Sequence, residues 1–402
     1  MEDNNYITIN SINFTQYIAE LTKLYAHWSK PYFLKSKENG IHEDIKNLFK
    51  HKDAMMIAKT NDKDIIGLCF GFNAACAEND SLVKSIAENQ DIKDFYYIAA
   101  LIVNPASKDE NIKAALIEQL ILSNLNNYSI FLTRIEESDS DSIKNLFCEQ
   151  LNFKHFDKKN KSADTEETSS ETALLYLNRT IKKVTYMELL KAKVNDCGEE
   201  LTNANRYDKE ITLQKAEIGK FPYSADNLSY YKVRDGVAKK LADANRKLLE
   251  RTKGKYRLAV FYGYRHIDIQ RIEFVNYRRR ISKRRCAYKN LYEFIETVHR
   301  NIAVPNVAGH PTGAAIDVTI MDAASNSALD MGTMIYETTS DKVVCNAKGL
   351  TIEQIKNRQI LYNVMTAEGF APYWGQWWHY SYGDRQWAVY YDKPSAIYGI
   401  LP

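Results

Sequence analysis

Three residues in the C-terminal half combine donor types that suit a metal ion. His310 stands in Gly309-His310-Pro311-Thr312-Gly313, Asp317 follows seven positions later, and His379 closes Gln376-Trp377-Trp378-His379. Two imidazoles and one carboxylate form a hard-to-borderline ligand set that suits Zn²⁺ and leaves a fourth position for water. The chain has eight His, and the other six lack such surroundings. By spacing alone, satisfied structural histidines remain the alternative. The flanking residues strengthen the metal reading. Glycines at 309 and 313 let backbone turn tightly or pass close to a site. Ala314 to Ile320 is an apolar, β-branched run with one acid in its middle, and a carboxylate in a buried strand is costly unless paired or ligating. A salt-bridged structural Asp is the competing explanation for that acid.

Gly309-His310-Pro311-Thr312-Gly313-Ala314-Ala315-Ile316-Asp317, the later Trp377-Trp378-His379-Tyr380-Ser381-Tyr382-Gly383-Asp384 and the upstream Gly263-Tyr264-Arg265 together resemble the zinc D-alanyl-D-alanine dipeptidase family. That family includes the cytoplasmic dipeptidases of vancomycin resistance. The resemblance covers roughly residues 185–402, with three separated motifs in the right order. It implies that His310, Asp317 and His379 bind one Zn²⁺ and that Arg265 stabilises a developing oxyanion. It also implies substrate contacts from Tyr264, Gly309, Thr312 and Trp378, and hydrolysis of a small D-amino-acid dipeptide such as D-Ala-D-Ala, a peptidoglycan-related substrate. Leu329-Asp330-Met331-Gly332-Thr333 is similar to a stretch near the substrate pocket in that family, and Trp374, Trp377, Trp378 and Trp387 are expected to shield the site from water.

Two departures stand out. His266 follows Arg265 where family members often have Pro. Gln376 stands where the family has a Glu general base, three residues before the last His. An amide has nearly the shape of a carboxylate but cannot take a proton from water. Losing a general base typically costs about 10²–10⁴ in rate. The chain as written is therefore expected to be inactive or weak. Either a Glu→Gln exchange was introduced into a working site, which the intact surroundings favour, or the chain is a natural zinc-loaded pseudoenzyme that binds peptidoglycan fragments.

The elements that must position these side chains fall into two domains, 1–184 and 185–402. At 402 residues with 45% hydrophobic and 12% aromatic content, the chain can build two ordinary cores. A net charge of +3 implies neither nucleic acid nor membrane as a partner. Six scattered Cys form no Cys-x-x-Cys pair, so a thiolate site or disulfide framework is not expected. No apolar leader or spanning stretch is found, which points to the cytoplasm.

Residues 1–180 read as alternating strands and helices: strands at 6–9, 54–59, 65–72, 95–103, 128–135 and 172–177, with helices at 14–28, 42–50, 110–124 and 140–149. Thr60-Asn61-Asp62-Lys63 reads as a hairpin turn, and the polar segment 157–171 reads as a solvated loop. This order, with Leu151-Asn152-Phe153 before the last hairpin, resembles the GNAT N-acetyltransferase fold. That family binds the pyrophosphate of its cofactor on a Gly-rich loop at a helix N-terminus. Here the loop, 106–113, has no Gly and two acids, so acetyl-CoA is not expected to bind. A bifunctional protein with a working acetyltransferase half is the alternative. In the second half, which begins with Tyr186 to Ala192 and a polar stretch to about 225, helices are expected at 229–251 and from Thr351 to Gly369, and a strand at 258–262 that delivers Arg265. The α+β peptidase domain also carries a basic run, 278–285, expected to be a solvated face or a dock for an acidic surface.

Overall fold

Strands whose side chains alternate between two apolar faces organise the N-terminal half. The computed structural model describes residues 6–26, 45–61, 64–76, 95–104, 106–107, 111–125, 127–128, 130–136, 141–151, 153–155, 172–178, 181–214, 228–282 and 288–402. The chain divides into two compact units, Met1–Thr180 and Ile181–Pro402. In the first, the elements are β1 (Tyr6–Asn10), α1 (Ile18–Ala26), β2 (Met55–Asn61), β3 (Asp64–Asn73), β4 (Phe95–Val103), α2 (Ile112–Asn124), β5 (Ile130–Glu136), α3 (Asp141–Asn145), β6 (Lys154–His155) and β7 (Thr172–Asn178). They form one sheet ordered β1-β2-β3-β4-β5-β7-β6.

Along β4, Phe95, Tyr97 and Ala99 join the core that holds Leu21 and Leu24 of α1. Tyr96 and Ile98 join the opposite core with Leu116 and Leu120 of α2. That period of two is what a strand covered on both faces requires. β4 and β5 pair in parallel only from Phe95 to Ile98, although β4 continues to Val103. The mixed α/β architecture is the one the element order implied. The turn at 62–63, the segment 157–171, Asn152, the start of helix 42–50, residues 108–110 of loop 106–113 and the basic residues 283–285 lie outside the described residues.

The second unit contains α4 (Tyr186–Lys191), β8 (Leu201–Asn203), β9 (Thr212–Leu213), β10 (Lys232–Arg234), α5 (Asp235–Arg251), β11 (Tyr256–Tyr262), α6 (Ile267–Ser282), α7 (Leu291–Asn301), β12 (Ala315–Asp322), α8 (Ile352–Ala367), β13 (Ala371–Pro372), β14 (His379–Ser381) and α9 (Arg385–Tyr390). Its main sheet is ordered β13-β14-β12-β11-β9. The central strand β12 turns Ile316, Val318 and Ile320 to a core shared with Val237, Leu241, Ala244 and Leu248 of α5. Those helical positions repeat at three and four residues, one stripe of an amphipathic helix. The alternate residue Asp317 is thereby sent to the opposite face of the sheet. Val184, expected in the first domain, packs with Leu189 and Val307 of the second unit. Among the described residues no helix is long and apolar enough to cross a membrane.

The helix expected from 229 begins later. Residues 228–231 form a 3₁₀ turn and 232–234 form β10, paired antiparallel to β8. The reason is Arg234. Its backbone N–H donates to Gly313 O at 2.8 Å, and its buried guanidinium holds Thr312 O (2.7 Å), Gly399 O (3.1 Å), Asp196 Oδ2 (2.8 Å) and Glu199 O. Sheet pairing and this clamp take the backbone out of the helix for three residues and fasten the loop that bears His310. The capping box at Thr351 and Gln354 is present and opens α8, and Gly369 (φ 80°) follows its end as a left-handed stop. Replacing Arg234 with Met leaves several buried carbonyls without a donor and Asp196 without its cation. We expect a stability loss of about 3–5 kcal/mol, read as a fall in the urea midpoint; a loss below about 1 kcal/mol would remove Arg234 as the clamp.

Candidate metal centre

Three neighbouring strands bring the centre together by register. Tyr262 of β11 pairs with Asp317 of β12, and Asp317 pairs with His379 of β14. Directly opposed residues on adjacent strands point to the same face, so the carboxylate stands between a phenol ring and an imidazole. A bulge in β11 between Val260 and Tyr262 sets that register. His310 arrives from the loop before β12, in a 3₁₀ turn (His310–Thr312) closed by Gly313 at φ 72°. A side chain at 313 would collide with Leu201, so position 313 needs Gly for both reasons. At Gly309 a Cβ would run into Asp384 Oδ2.

His310, Asp317 and His379 each offer a ligand atom, and these atoms lie within 4.8 Å of one another. His310 Nδ1 lies 2.7 Å from Gly263 O. A carbonyl only accepts, so Nδ1 carries the proton and Nε2, 3.5 Å from Asp317 Oδ2, keeps a free lone pair. His379 Nδ1 is 3.0 Å from Asp317 Oδ1. The Tyr336 hydroxyl donates to Asp317 Oδ2 at 3.0 Å. Burial alone would raise the Asp317 pKa, but the two imidazoles hold it well below the usual carboxylate range. Burial lowers the His310 pKa, against the pull of Asp317. An ionised carboxylate facing an imidazole lone pair is what a divalent N/O-ligated ion requires. The residues present fit such an ion.

Arg265 follows β11, and its N–H donates to His310 O at 3.2 Å. Arg265 is 6% exposed, and its guanidinium is 2.7 Å from Glu273 Oε2 and 2.9 Å from Gln270 Oε1 and lies over the Tyr262 ring. Burial would lower its pKa, yet Glu273 raises it, so the cation persists. Arg265 Nε is buried without a hydrogen-bond partner. His266 is exposed and accepts from Asp268 N–H at 3.2 Å, which satisfies an early donor of α6 that a Pro at 266 could not reach with a side-chain acceptor. Gln376 lies between two turns, with its N–H donating to Tyr373 O and His379 N–H donating to Gln376 O. These turns reconcile the opposite strand parity of 376 and 379. The Gln376 amide donates to Asn301 O at 3.2 Å.

His310, Asp317, His379, Arg265, Gln376 and Gly309 line one cavity of about 490 Å³. Tyr264, Thr312 and Trp378 do not line it. Tyr264 N–H is used on Lys232 O. The Thr312 hydroxyl closes its own turn through Gly309 O and Ala314 N–H. Trp378 is fully buried in the core beside Trp377. The tryptophan shield is likewise replaced: the rings against the ligands are Tyr262 and Tyr373. Leu329–Thr333 braces the core, with Thr333 accepting from the Trp377 indole, while Tyr336 and Thr338 reach the cavity. The residues that sequence reasoning missed are Tyr336, Glu273, Gln270 and Asp384. Only Asp384 had a signal, as the last residue of the Trp377–Asp384 motif.

Residues 224–397 match the family model described as D-ala-D-ala dipeptidase. The match falls wholly within the second unit. A D-alanyl-D-alanine dipeptidase of Synechocystis sp. is 26% identical over 227 residues, 51% of this chain and 90% of that one. The D-alanyl-D-alanine dipeptidase of Enterococcus faecium is 28% identical over 92 residues, 23% of this chain and 45% of the relative. Among solved structures, an N-acetyltransferase from Staphylococcus aureus Mu50 is 13% identical, covering 44% of this chain and 100% of that one with a TM-score of 0.30. An acetyltransferase from Streptococcus agalactiae 2603 is 11% identical over 44% of this chain and 99% of that one, also at 0.30.

One further imidazole of the second unit titrates for a structural reason. His299 is 4% exposed, accepts from Val304 N–H at 3.1 Å, and burial depresses its pKa to about 4. A His depressed in the folded state stabilises fully above its unfolded value near 6.5 and loses that contribution as pH falls toward 4. Between pH 7 and 5 the loss is about 2 kcal/mol. His299→Gln removes the titrating group, so its urea midpoint should fall less over that interval than the parent's. Parallel pH profiles would show that His299 does not set the acid limb.

Proposed function

We propose that this chain is a zinc peptidase of the D-Ala-D-Ala dipeptidase type whose turnover is limited by Gln376. The observation that carries the reading is the convergence of His310, Asp317 and His379 on one cavity wall, with the Arg265 cation lining the same cavity. His310 and His379 would hold the ion through nitrogen and Asp317 through oxygen, a set that suits zinc. When bound, the ion supplies Lewis acidity at the scissile carbonyl. Glu273 and Gln270 occupy part of the Arg265 guanidinium, and the cation, which lines the cavity, would meet developing negative charge. Such a donor, fixed before the reaction and shielded from water, stabilises an oxyanion strongly. Gly263 O fixes the His310 tautomer. Gln376 can donate to or accept from a bound peptide, but it cannot take up a proton.

A second reading has its own observation. The Gln376 amide donates to Asn301 O, a bond that an ionised Glu cannot make. That favours a peptide-binding pseudoenzyme, in which the amide is part of the resting site. An acetyltransferase role for the N-terminal unit draws on no comparable cluster among its described residues.

The metal and the base are separable. His310→Ala should strip most of the zinc, whereas Gln376→Ala should leave about one ion per chain, as measured by elemental analysis; equal loss in both would make residue 376 a ligand. Gln376→Glu should raise D-Ala-D-Ala hydrolysis by at least about 10², the lower end for a general base. In that background Arg265→Ala should lower the rate by about 10²–10³ with little loss of zinc. If Gln376→Glu binds zinc but cleaves no dipeptide from a D- and L-amino-acid panel, the pseudoenzyme reading replaces the enzyme.

A further inference from the structure

The cavity is longer than two alanines require, and two exposed arginines line it. Its volume of about 490 Å³ falls in the range of pockets that bury drug-sized ligands. Glu273, Asn276, Tyr277 and Arg280 all line it, a spacing of three, four and seven that puts them on one face of α6. From Glu273, which pairs with Arg265 at the chemical end, Arg280 lies seven residues on, about 10 Å along the helix axis. A fully extended dipeptide spans only about 7 Å and a tripeptide about 10 Å. Arg300, at the end of α7, lines the same cavity.

The charges are sorted along this path. The inner carboxylates are committed: Asp317 to the imidazoles, Glu273 to Arg265, and Asp384 to capping α9 through Trp387 N–H. Arg280 and Arg300 are exposed, and among the described residues neither is ion-paired; Arg280 lies over the Tyr277 ring at 4.9 Å. Two exposed guanidinium groups lining one cavity are suited to a carboxylate, which Arg can bind in bidentate fashion.

We propose that the cavity takes a peptide longer than a dipeptide, whose extension carries a carboxylate bound by Arg280 and Arg300. The inference rests on the peptidase reading of the site and gives a role to part of the basic run that begins at Arg278. The test is calorimetric binding to the zinc-loaded chain, in which Gln376 keeps turnover low. The probes are D-Ala-D-Ala, its amino-terminal extensions by Glu and by Gln, and D-Ala-D-Ala-Gly with its carboxyl-terminal amide. Each extended pair differs only in a carboxylate. In at least one pair the carboxylate form should bind about tenfold more tightly. That margin should shrink with added salt and fall below about threefold in the Arg280→Gln, Arg300→Gln double variant, with zinc content near one per chain as the control for folding. Equal binding within both pairs overturns the proposal, as does a preference that survives the double substitution. If D-Ala-D-Ala and every extension fail to bind, the peptidase reading falls and the proposal falls with it.

Discussion

A carboxylate with almost no solvent, Asp317 at 2% exposure, is the constraint around which the second unit is arranged. An unpaired buried charge is costly enough that a carboxyl would take up a proton instead. Here the opposite holds, because the His379 imidazole stands 3.0 Å from one oxygen and the Tyr336 hydroxyl donates to the other. None of these partners is near in sequence. They meet because the β11–β12–β14 register fixes which face Asp317 takes, and because the Arg234 clamp holds the His310 loop against the sheet. Slipping that register by one residue would send Asp317 into the core that Ile316 and Val318 now fill.

The second buried charge obeys the same rule by different means. Arg265 has its carboxylate on α6, and Glu273 is itself pushed up by burial and held down only by Arg265. Removing either partner of such a pair strands the other. The pair therefore ties the helix to the end of β11. It also holds in place a cation that lines the cavity. Arg358 shows how a buried cation is treated away from the site: it spends its donors on the carbonyls of Met331, Val344 and Lys342. With no paired carboxylate among the described residues, burial lowers its pKa to about 10. It staples loops and faces no chemistry.

Much of this was legible in the residues themselves, where the signal was local. His310, Asp317, His379 and Arg265 lie in motifs whose glycines and strand ends can be read directly, and β4 was delimited to the residue by its apolar run and the Asn104-Pro105 stop. What was not legible depends on pairing between distant segments. Val233 fits the apolar spacing of α5 and is buried, yet it lies in β10, because pairing with β8 outweighs helical periodicity there. Trp378 shares a motif with His379 but is buried in the core with Trp377, in the turn that precedes β14. Glu273 and Tyr336 carry no mark in the sequence: their roles arise only when α6 and the 333–338 segment close over the sheet.

Position 376 is where the two kinds of information meet. The amide that breaks the family pattern also holds Asn301 O, so exchanging it for an acid alters position as well as chemistry. An ionised carboxylate would face a carbonyl acceptor at that distance and turn away from it, and the cavity that residue 376 lines is the open direction. The lost bond is worth about 0.5–1.5 kcal/mol. A general base contributes about 10²–10⁴ in rate, equivalent to about 3–5 kcal/mol. Proton transfer thus outweighs the hydrogen bond, so the tether to Asn301 cannot by itself keep an acid at 376 from serving as the base. The same tether is enough to hold the neutral amide to one side of the cavity, where a peptide can pass it and reach Arg265.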